Sequence, residues 1–259
     1  EAVSALKRVS GSATPNEGHD LMVALYTKEG DLLTGGVGFL HHYVGASVAT
    51  EHVIERFEGD IEPGDAFMLN DPYTAALHAP DVYIISPIFY QGELRAFAAN
   101  FVHVADIGAV DAGGFAPNAT TVFHEGFQTP GLKIIEGGEV REDVLETLLN
   151  MSRDPGMVEL DFRSQIAANN VAADRMETLF EEYGTDTVDR VGERLIRQSG
   201  ERFRDRLAEL PDGEWEARQY VDSVPEAEIF AVNLTLRKEG RSLTFDFSGT
   251  DGESEYGLN

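Results

Sequence analysis

Two apolar runs, Val82 to Phe89 and Ala96 to Val104, lie on either side of the turn Gln91-Gly92-Glu93. Each is strand-length, and neither approaches the roughly 20 apolar residues that a membrane-spanning helix takes. Asp81 to Tyr90 and Leu94 to Val104 therefore predict a β-hairpin, which commits this part of the chain to a sheet. Along its second arm, Phe97, Ala99, Phe101 and His103 fall on one face by the period of two. A histidine that continues an apolar face is either buried or turned into a cleft.

The rest of the first half extends that sheet. Leu21 to Tyr26, the turn Lys28 to Asp31 and Leu32-Leu33 predict a further hairpin. Ala46 to Phe57 has apolar residues at helical spacing and stops before Gly59. Glu62-Pro-Gly-Asp65 is turn chemistry ahead of a short buried strand, Ala66 to Leu69. Glycine and proline are dense from Asp106 to Gly138, which predicts a long ordered loop. The second half changes character. Asp161 to Tyr183 predicts a long helix, stopped by Gly184, with Ile166, Val171, Met176, Leu179 and Phe180 buried. Thr185 to Leu210 predicts a second helix, antiparallel to the first, before Pro211-Asp-Gly213. Three strand-like runs follow: Glu214 to Asp222, Glu228 to Arg237 and Ser242 to Phe247. No internal repeat or low-complexity tract interrupts the chain. The pattern predicts an α+β fold: a mixed, β-rich region over residues 1–157, then a helical pair and a second β-rich segment over residues 158–259.

Charge and composition exclude several classes of function. Twenty Lys and Arg against 46 Asp and Glu leave a net charge of −26. Such a chain repels nucleic acid and anionic lipid, so neither nucleic acid nor a membrane is expected as a partner. Lysine is confined to Lys7, Lys28, Lys133 and Lys238. An acidic surface of this kind suits strong screening, so the composition predicts a halophilic, cytoplasmic protein, with an acidic mesophile as the alternative. The absence of cysteine removes disulfides, thiolate metal sites and a cysteine nucleophile together. The chain opens at Glu1 rather than Met and closes at Asn259 soon after a strand-like run, which reads as a chain cut at both ends.

No phosphate-cradling G-x-x-x-x-G-K-[ST], no dinucleotide G-x-G-x-x-G after a strand, no G-x-S-x-G elbow and no H-E-x-x-H are present. Gly35-Gly-Val-Gly38 is short enough to be a turn. What remains is histidine with carboxylate, in His78-Ala-Pro-Asp81 and His103-Val-Ala-Asp106. Pro80 keeps the first piece out of a helix and places it on a turn entering a strand. Imidazole with carboxylate suits Zn or Mn, and a thiolate-free set leans toward a hydrolytic metal. A satisfied core histidine beside an aspartate spells the same letters, so the spacing alone leaves both readings open. His19, His41, His42, His52 and His124 read as structural or supporting residues. Asn70-Asp71-Pro72 reads as an Asx-type turn, and Glu125-Gly126 as a charged turn.

Several segments together resemble the hydantoinase B/oxoprolinase family. They are Gly64-Asp65-Ala-Phe-Met-Leu-Asn70-Asp71-Pro72-Tyr73, His78-Ala-Pro-Asp81, His103-Val-Ala-Asp106-Ile-Gly108 and Glu125-Gly-Phe-Gln-Thr-Pro130-Gly-Leu-Lys133. Asp161-Phe-Arg-Ser-Gln165-Ile-Ala-Ala-Asn169, Pro211-Asp-Gly213 and Phe245-Asp-Phe-Ser-Gly-Thr250 continue the match in order over nearly the whole chain. The resemblance implies a divalent metal held by Asp20, His78, Asp81 and His103. It implies a partner, an A-type subunit with an actin-like fold that carries the ATP site. It also implies an ATP-dependent amidohydrolase that opens a cyclic amide (hydantoin, 5-oxoproline or a lactam) with a metal-activated water, which Asp106 or Glu125 would orient as catalytic residues. An acetone- or acetophenone-type carboxylase subunit, or a non-catalytic structural subunit, is the alternative. The chain departs from the family pattern around the first histidine, with Ala75-Ala76-Leu77 in place of Gly-Gly-Thr. It departs again at Ala109 and at Thr129-Pro130-Gly131. The ligand positions survive, while the glycine-lined approach to them has changed.

Overall fold

A computed structural model describes residues 1–223 and 228–255. The elements run α1 (Ala2–Val9), α2 (Ala13–Asn16), β1 (Leu21–Thr27), β2 (Leu32–Gly35), α3 (Leu40–Arg56), β3 (Ala66–Leu69), β4 (Asp81–Tyr90) and β5 (Glu93–His103). A 3-10 turn (Val122–Glu125), β6 (Leu132–Glu136), β7 (Glu139–Val140), α4 (Glu142–Leu149), α5 (Pro155–Tyr183) and α6 (Thr185–Ala208) follow, and β8 (Gly213–Ser223), β9 (Glu228–Glu239) and β10 (Ser242–Asp246) close the order. Helices and mostly antiparallel sheet make this the expected α+β fold.

The expected hairpin is the middle of the larger sheet, whose strand order among the described residues is β2-β1-β5-β4-β3-β6-β7. Gln91 (φ 53°) and Gly92 (φ 82°) make its tip, with Tyr90 paired to Glu93. Two consecutive left-handed residues give the turn whose twist matches that of the strands. A regular ladder from this tip would set Asp81 opposite Val102. Instead Phe89 pairs with Leu94 and Ile88 with Ala96, so Arg95 is an extra residue, a β-bulge. The one-residue shift sets Asp81 opposite His103. Since a slip of one residue exchanges the two faces of a strand, the bulge decides which side chains meet at the far end.

Both faces of the sheet are covered. Met22, Ala24, Tyr83, Ile85, Phe97, Ala99 and Phe101 pack against Tyr43, Ala46, Ala49 and Val53 of α3. On the opposite face Leu21, Val23, Val82, Ile84 and Val102 meet Leu6 of α1 and Val158, Phe162 and Ala168 of α5, with Leu145 and Leu148 of α4 nearby.

Three expectations need correction. The stretch 106–138 is not loop throughout: Ile134 and Ile135 are buried, and their strand β6 pairs with β3. The flanking glycines and prolines hide a strand this short. Helix α3 begins at Leu40 rather than Ala46, because its first turns carry exposed apolar side chains that core periodicity does not register. Helix α5 begins at Pro155, capped by Asp154, whose side chain accepts from Met157 N at 3.2 Å. Of its expected buried residues Met176 and Phe180 are buried, whereas Leu179 is exposed. The buried face includes Asp161, Gln165 and Asn169 instead.

Those polar residues explain why α5 lies on α1 and on strands β1, β4 and β5, rather than being buried as half of an α5–α6 pair. Gln165 Nε2 donates to Val82 O (2.8 Å) and to Asn100 Oδ1 (2.8 Å). Asn169 Nδ2 donates to Ile84 O (3.0 Å), and Asn100 Nδ2 returns hydrogen bonds to Gln165 O (2.7 Å) and Asn169 Oδ1 (2.8 Å). With α5 tied to the sheet, the compact units are residues 1–116 with 122–192, and residues 117–121 with 193–259. The division falls inside α6, and the last stretch, 256–259, lies outside the described residues. Within the second unit, β10-β9-β8 form an antiparallel sheet. Buried Lys238 of β9 donates to Leu210 O (2.6 Å) and pairs with Asp212 (2.7 Å), fixing the end of α6 to that sheet. Among the described residues no helix is long and apolar enough to cross a membrane.

Candidate metal centre

The period of two carries Asp20, Asp81 and His103 onto the α3 side of the sheet, at one end of three neighbouring strands. His103 N approaches Asp20 O at 3.4 Å, continuing the β1–β5 ladder. The residue before Asp20, His19, is held at φ 57°, a left-handed conformation uncommon outside glycine. It turns the chain into β1 so that Asp20 enters the site. His78 arrives from the turn expected at 78–81, closed by Asp81 N donating to His78 O at 3.0 Å.

The side chains converge. His78 Nε2 stands 3.0 Å from Asp81 Oδ1, and His103 Nδ1 lies 3.2 Å from both Asp81 Oδ1 and His78 Nε2. Asp20 Oδ2 is 3.9 Å from His103 Nδ1. Asp81 is 2% exposed and His78 35% exposed as side chains, so the cluster is closed below and open on the His78 side. Burial opposes the charged form of His78. The Asp81 hydrogen bond and the charges of Asp81, Glu125 and Asp20 outweigh it and raise the imidazole pKa. For Asp81 burial likewise opposes ionisation, and the bonds from His103 and His78 reverse it, holding the carboxyl below its ordinary value.

Two observations bear on whether an ion fits. Asp81 Oδ2 is buried without a hydrogen-bond partner among the described residues, which a buried carboxylate oxygen rarely tolerates. His78, Asp81 and His103 each offer a ligand atom within 4.8 Å of the others. Oxygen and imidazole donors converging on one point are the set that Zn or Mn takes. The residues fit a divalent cation.

Surrounding residues hold these groups in place, and the sequence marked few of them. His42 is buried, stacked on Phe101 with centroids 3.6 Å apart, and its Nε2 faces Asp20 Oδ1 at 3.6 Å. Asn70 was expected to start an Asx turn. Asp71 makes that turn, accepting from Tyr73 N at 3.0 Å. Asn70 is fully buried and clamps the 78–81 turn, donating to Ala79 O (2.6 Å) and Phe127 O (2.9 Å) and accepting from Thr129 N (2.9 Å). Its sequence signals are its place directly after an apolar strand and within the Gly64–Tyr73 segment of the family resemblance. Gly114 backs His103 so closely that a Cβ would stand 2.0 Å from its Nε2.

Asp106 is not in the ligand cluster. Its Oδ1 accepts from Gly108 N (2.9 Å) and Arg153 N (3.2 Å), and its Oδ2 from Arg153 Nη1 (2.8 Å) and Gly113 N (3.3 Å). Burial opposes its charge, but these donors hold its carboxyl below the ordinary range. It organises the loop that presents Gly114. Glu125, half-buried at the end of the 3-10 turn, lies within electrostatic reach of His78.

The whole chain, residues 1–259, matches the profile of the family described as hydantoinase B/oxoprolinase. It is 29% identical over 243 residues to the acetophenone carboxylase delta subunit of Aromatoleum aromaticum, covering 93% of this chain and 36% of that protein. It is 33% identical over 204 residues to a putative D-/L-hydantoinase B-type subunit from a Pseudomonas species, covering 76% and 34%. The crystal structure of ATP-dependent caprolactamase from Pseudomonas jessenii superposes with a TM-score of 0.91 at 25% identity, covering 98% of this chain and 44% of that one. The chain thus spans about a third of the length of the first two proteins. With the profile matched from end to end, this chain belongs to the hydantoinase B/oxoprolinase family.

Proposed function

We propose that the chain is the metal-binding part of an ATP-dependent amidohydrolase that opens a cyclic amide such as a hydantoin, 5-oxoproline or a lactam. The observation that carries this reading is the convergence of His78 and His103 on Asp81, whose second carboxylate oxygen, Oδ2, is buried without a partner among the described residues. Asp20, His78, Asp81 and His103 would hold the ion, Zn or Mn. When bound, such an ion supplies Lewis acidity and brings the pKa of water toward neutrality. Asp20 and Asp81 supply the anionic half of the ligand set, and His42 keeps Asp20 turned inward. Glu125 would orient the attacking water and accept its proton at a carboxylate oxygen. Asp106, with both oxygens engaged by the loop and Arg153, acts as a positioning residue. An unactivated ring amide is a poor electrophile, and the sequence carries no phosphate-binding loop. An A-type, actin-like partner subunit would use ATP to phosphorylate the amide oxygen and supply the leaving group.

The test has two parts. Metal analysis should find about one divalent ion per chain, sharply reduced in His78→Ala and His103→Ala and retained in His124→Ala. Full retention in the first two variants would overturn the ligand set. The complex with its A-type partner should then couple ATP consumption to opening of hydantoin or 5-oxoproline. Phosphate release without ring opening, with metal in place, would sink the amidohydrolase reading.

Similarity to the acetophenone carboxylase delta subunit over 93% of the chain supports one competing reading, carboxylation of a ketone enolate at the same residues. A requirement for bicarbonate, with labelled carbon retained in the product, would select it. A purified complex with stoichiometric partner but no metal would point to a structural subunit.

A further inference from the structure

We infer that Thr14 is a positioning residue of the metal centre: it clamps the main chains of Asp20 and His103 beside one another, and Asp161 of α5 fixes it there through Ser10 and Ser12. The clamp rests on the ligand set proposed above and adds what sets the spacing of two of its members.

Asp20 is held less closely than the other ligands, with Oδ2 3.9 Å from His103 Nδ1 and a side chain 34% exposed. It also follows His19, whose left-handed φ persists only where the surroundings impose it. Those surroundings are the stretch joining α1 to β1, residues 10–20. Thr14 O accepts from Asp20 N at 3.1 Å, and Thr14 Oγ1 donates to His103 O at 2.8 Å. One residue thus holds the main chain of both ligands, one just before β1 and the other at the end of β5. The approach is close: a Cβ on Gly18 would stand 2.8 Å from Thr14 O.

A hydroxyl has one hydrogen, which gives this network a direction. Thr14 spends its hydrogen on His103 O, so in the 3.1 Å contact with Ser12 Oγ it accepts. Ser10 Oγ spends its own on Asp161 Oδ1 at 2.6 Å and accepts from Ser12 N at 3.3 Å. Asn16 Nδ2 braces the same stretch, donating to Ser10 O (3.1 Å) and Ser12 O (3.0 Å). The links therefore run Asp161, Ser10, Ser12, Thr14, His103. Ser10, Ser12 and Asp161 are buried, so water does not stand in for a lost link. At the far end α5 is itself fixed, because Gln165 and Asn169 donate to carbonyls of β4. Asp161 opens a segment of the family resemblance yet supplies no atom to the cluster of His78, Asp81 and His103. Anchoring this strap explains an acceptor at that position.

The test pairs calorimetric zinc titration of the intact, metal-stripped protein with amide hydrogen exchange before zinc is added. Thr14→Val keeps the shape and removes the donor. It should lower zinc affinity about tenfold and speed exchange of the Asp20 and His103 amides at least about fivefold, and Thr14→Ser should restore both. Asp161→Ala should lower affinity at least about threefold, whereas Asp161→Asn keeps an acceptor for Ser10 and should not. Added to Thr14→Val, Asp161→Ala should cost nothing further, because it acts through Thr14. Met176→Ala removes buried packing farther along α5 and should leave zinc affinity unchanged. Unaltered exchange and affinity in Thr14→Val, or an equal loss in Met176→Ala, would overturn the clamp. Additive losses in the double variant would overturn the role given to Asp161. A wild type that takes up no zinc, with exchange still faster in Thr14→Val, would overturn the ligand set and leave the clamp standing. Normal zinc uptake with exchange unmoved would do the reverse.

Discussion

Gly114 has no side chain because His103 occupies the space where one would stand, 2.0 Å from the imidazole. Gly114→Ala should push the ring out of register with His78 and Asp81, lowering metal affinity about tenfold or more, as loss of a supporting contact commonly does. Calorimetric titration with Zn would read the loss, while circular dichroism should show the fold intact. On α5, the fully buried Asp161 accepts from Ser10 Oγ at 2.6 Å. Burial pushes the Asp161 carboxyl above the ordinary range, against the pull of hydrogen bonds from Ser10 and Ser12. The native state therefore holds this proton more tightly than the unfolded chain does. Its contribution is complete below the ordinary aspartate pKa and is lost as pH rises through the raised value. Asp161→Asn should flatten that fall, measured by urea unfolding across the acid-to-neutral range. At this scale the sequence was most legible where residue type and spacing coincide, as in His78 and Asp81. His42 and Asn70 were opaque because their roles depend on what a distant strand or loop brings to them.

Helix α5 shows where periodicity fails at the scale of an element. Its contact face contains Gln165 and Asn169, which a hydrophobic pattern counts as surface, and so Leu179 is mistaken for core. The amides are buried because backbone carbonyls of β4 and the side chain of Asn100 are there to receive them. Asn100→Ala strips partners from both Gln165 and Asn169 and should cost about 1–3 kcal/mol in urea unfolding. In a cycle with Gln165→Ala the two losses should fall short of additive, since they break one network. The hairpin and the buried strand β3 were legible for the opposite reason: their turns and apolar runs are local, and no distant partner changes their meaning.

Across the whole molecule the −26 charge is the dominant long-range term. Screening of that self-repulsion should raise the thermal midpoint as KCl goes from low to molar concentration, and a flat or falling curve would remove the case for adaptation to salt. Fold class was readable across the full length, whereas the seating of α5 on the sheet was not, because α5 is held there through polar contacts that composition does not reveal. The bulge at Arg95 has a consequence at this scale too. It places one unpaired residue between the hairpin tip and the pair Asp81 and His103. Deleting Arg95 would let the ladder close into unbroken pairs, with Asp81 and His103 still face to face and metal content unchanged. The hairpin thus carries slack: its tip can be shortened by a residue and the change absorbed before it reaches the centre.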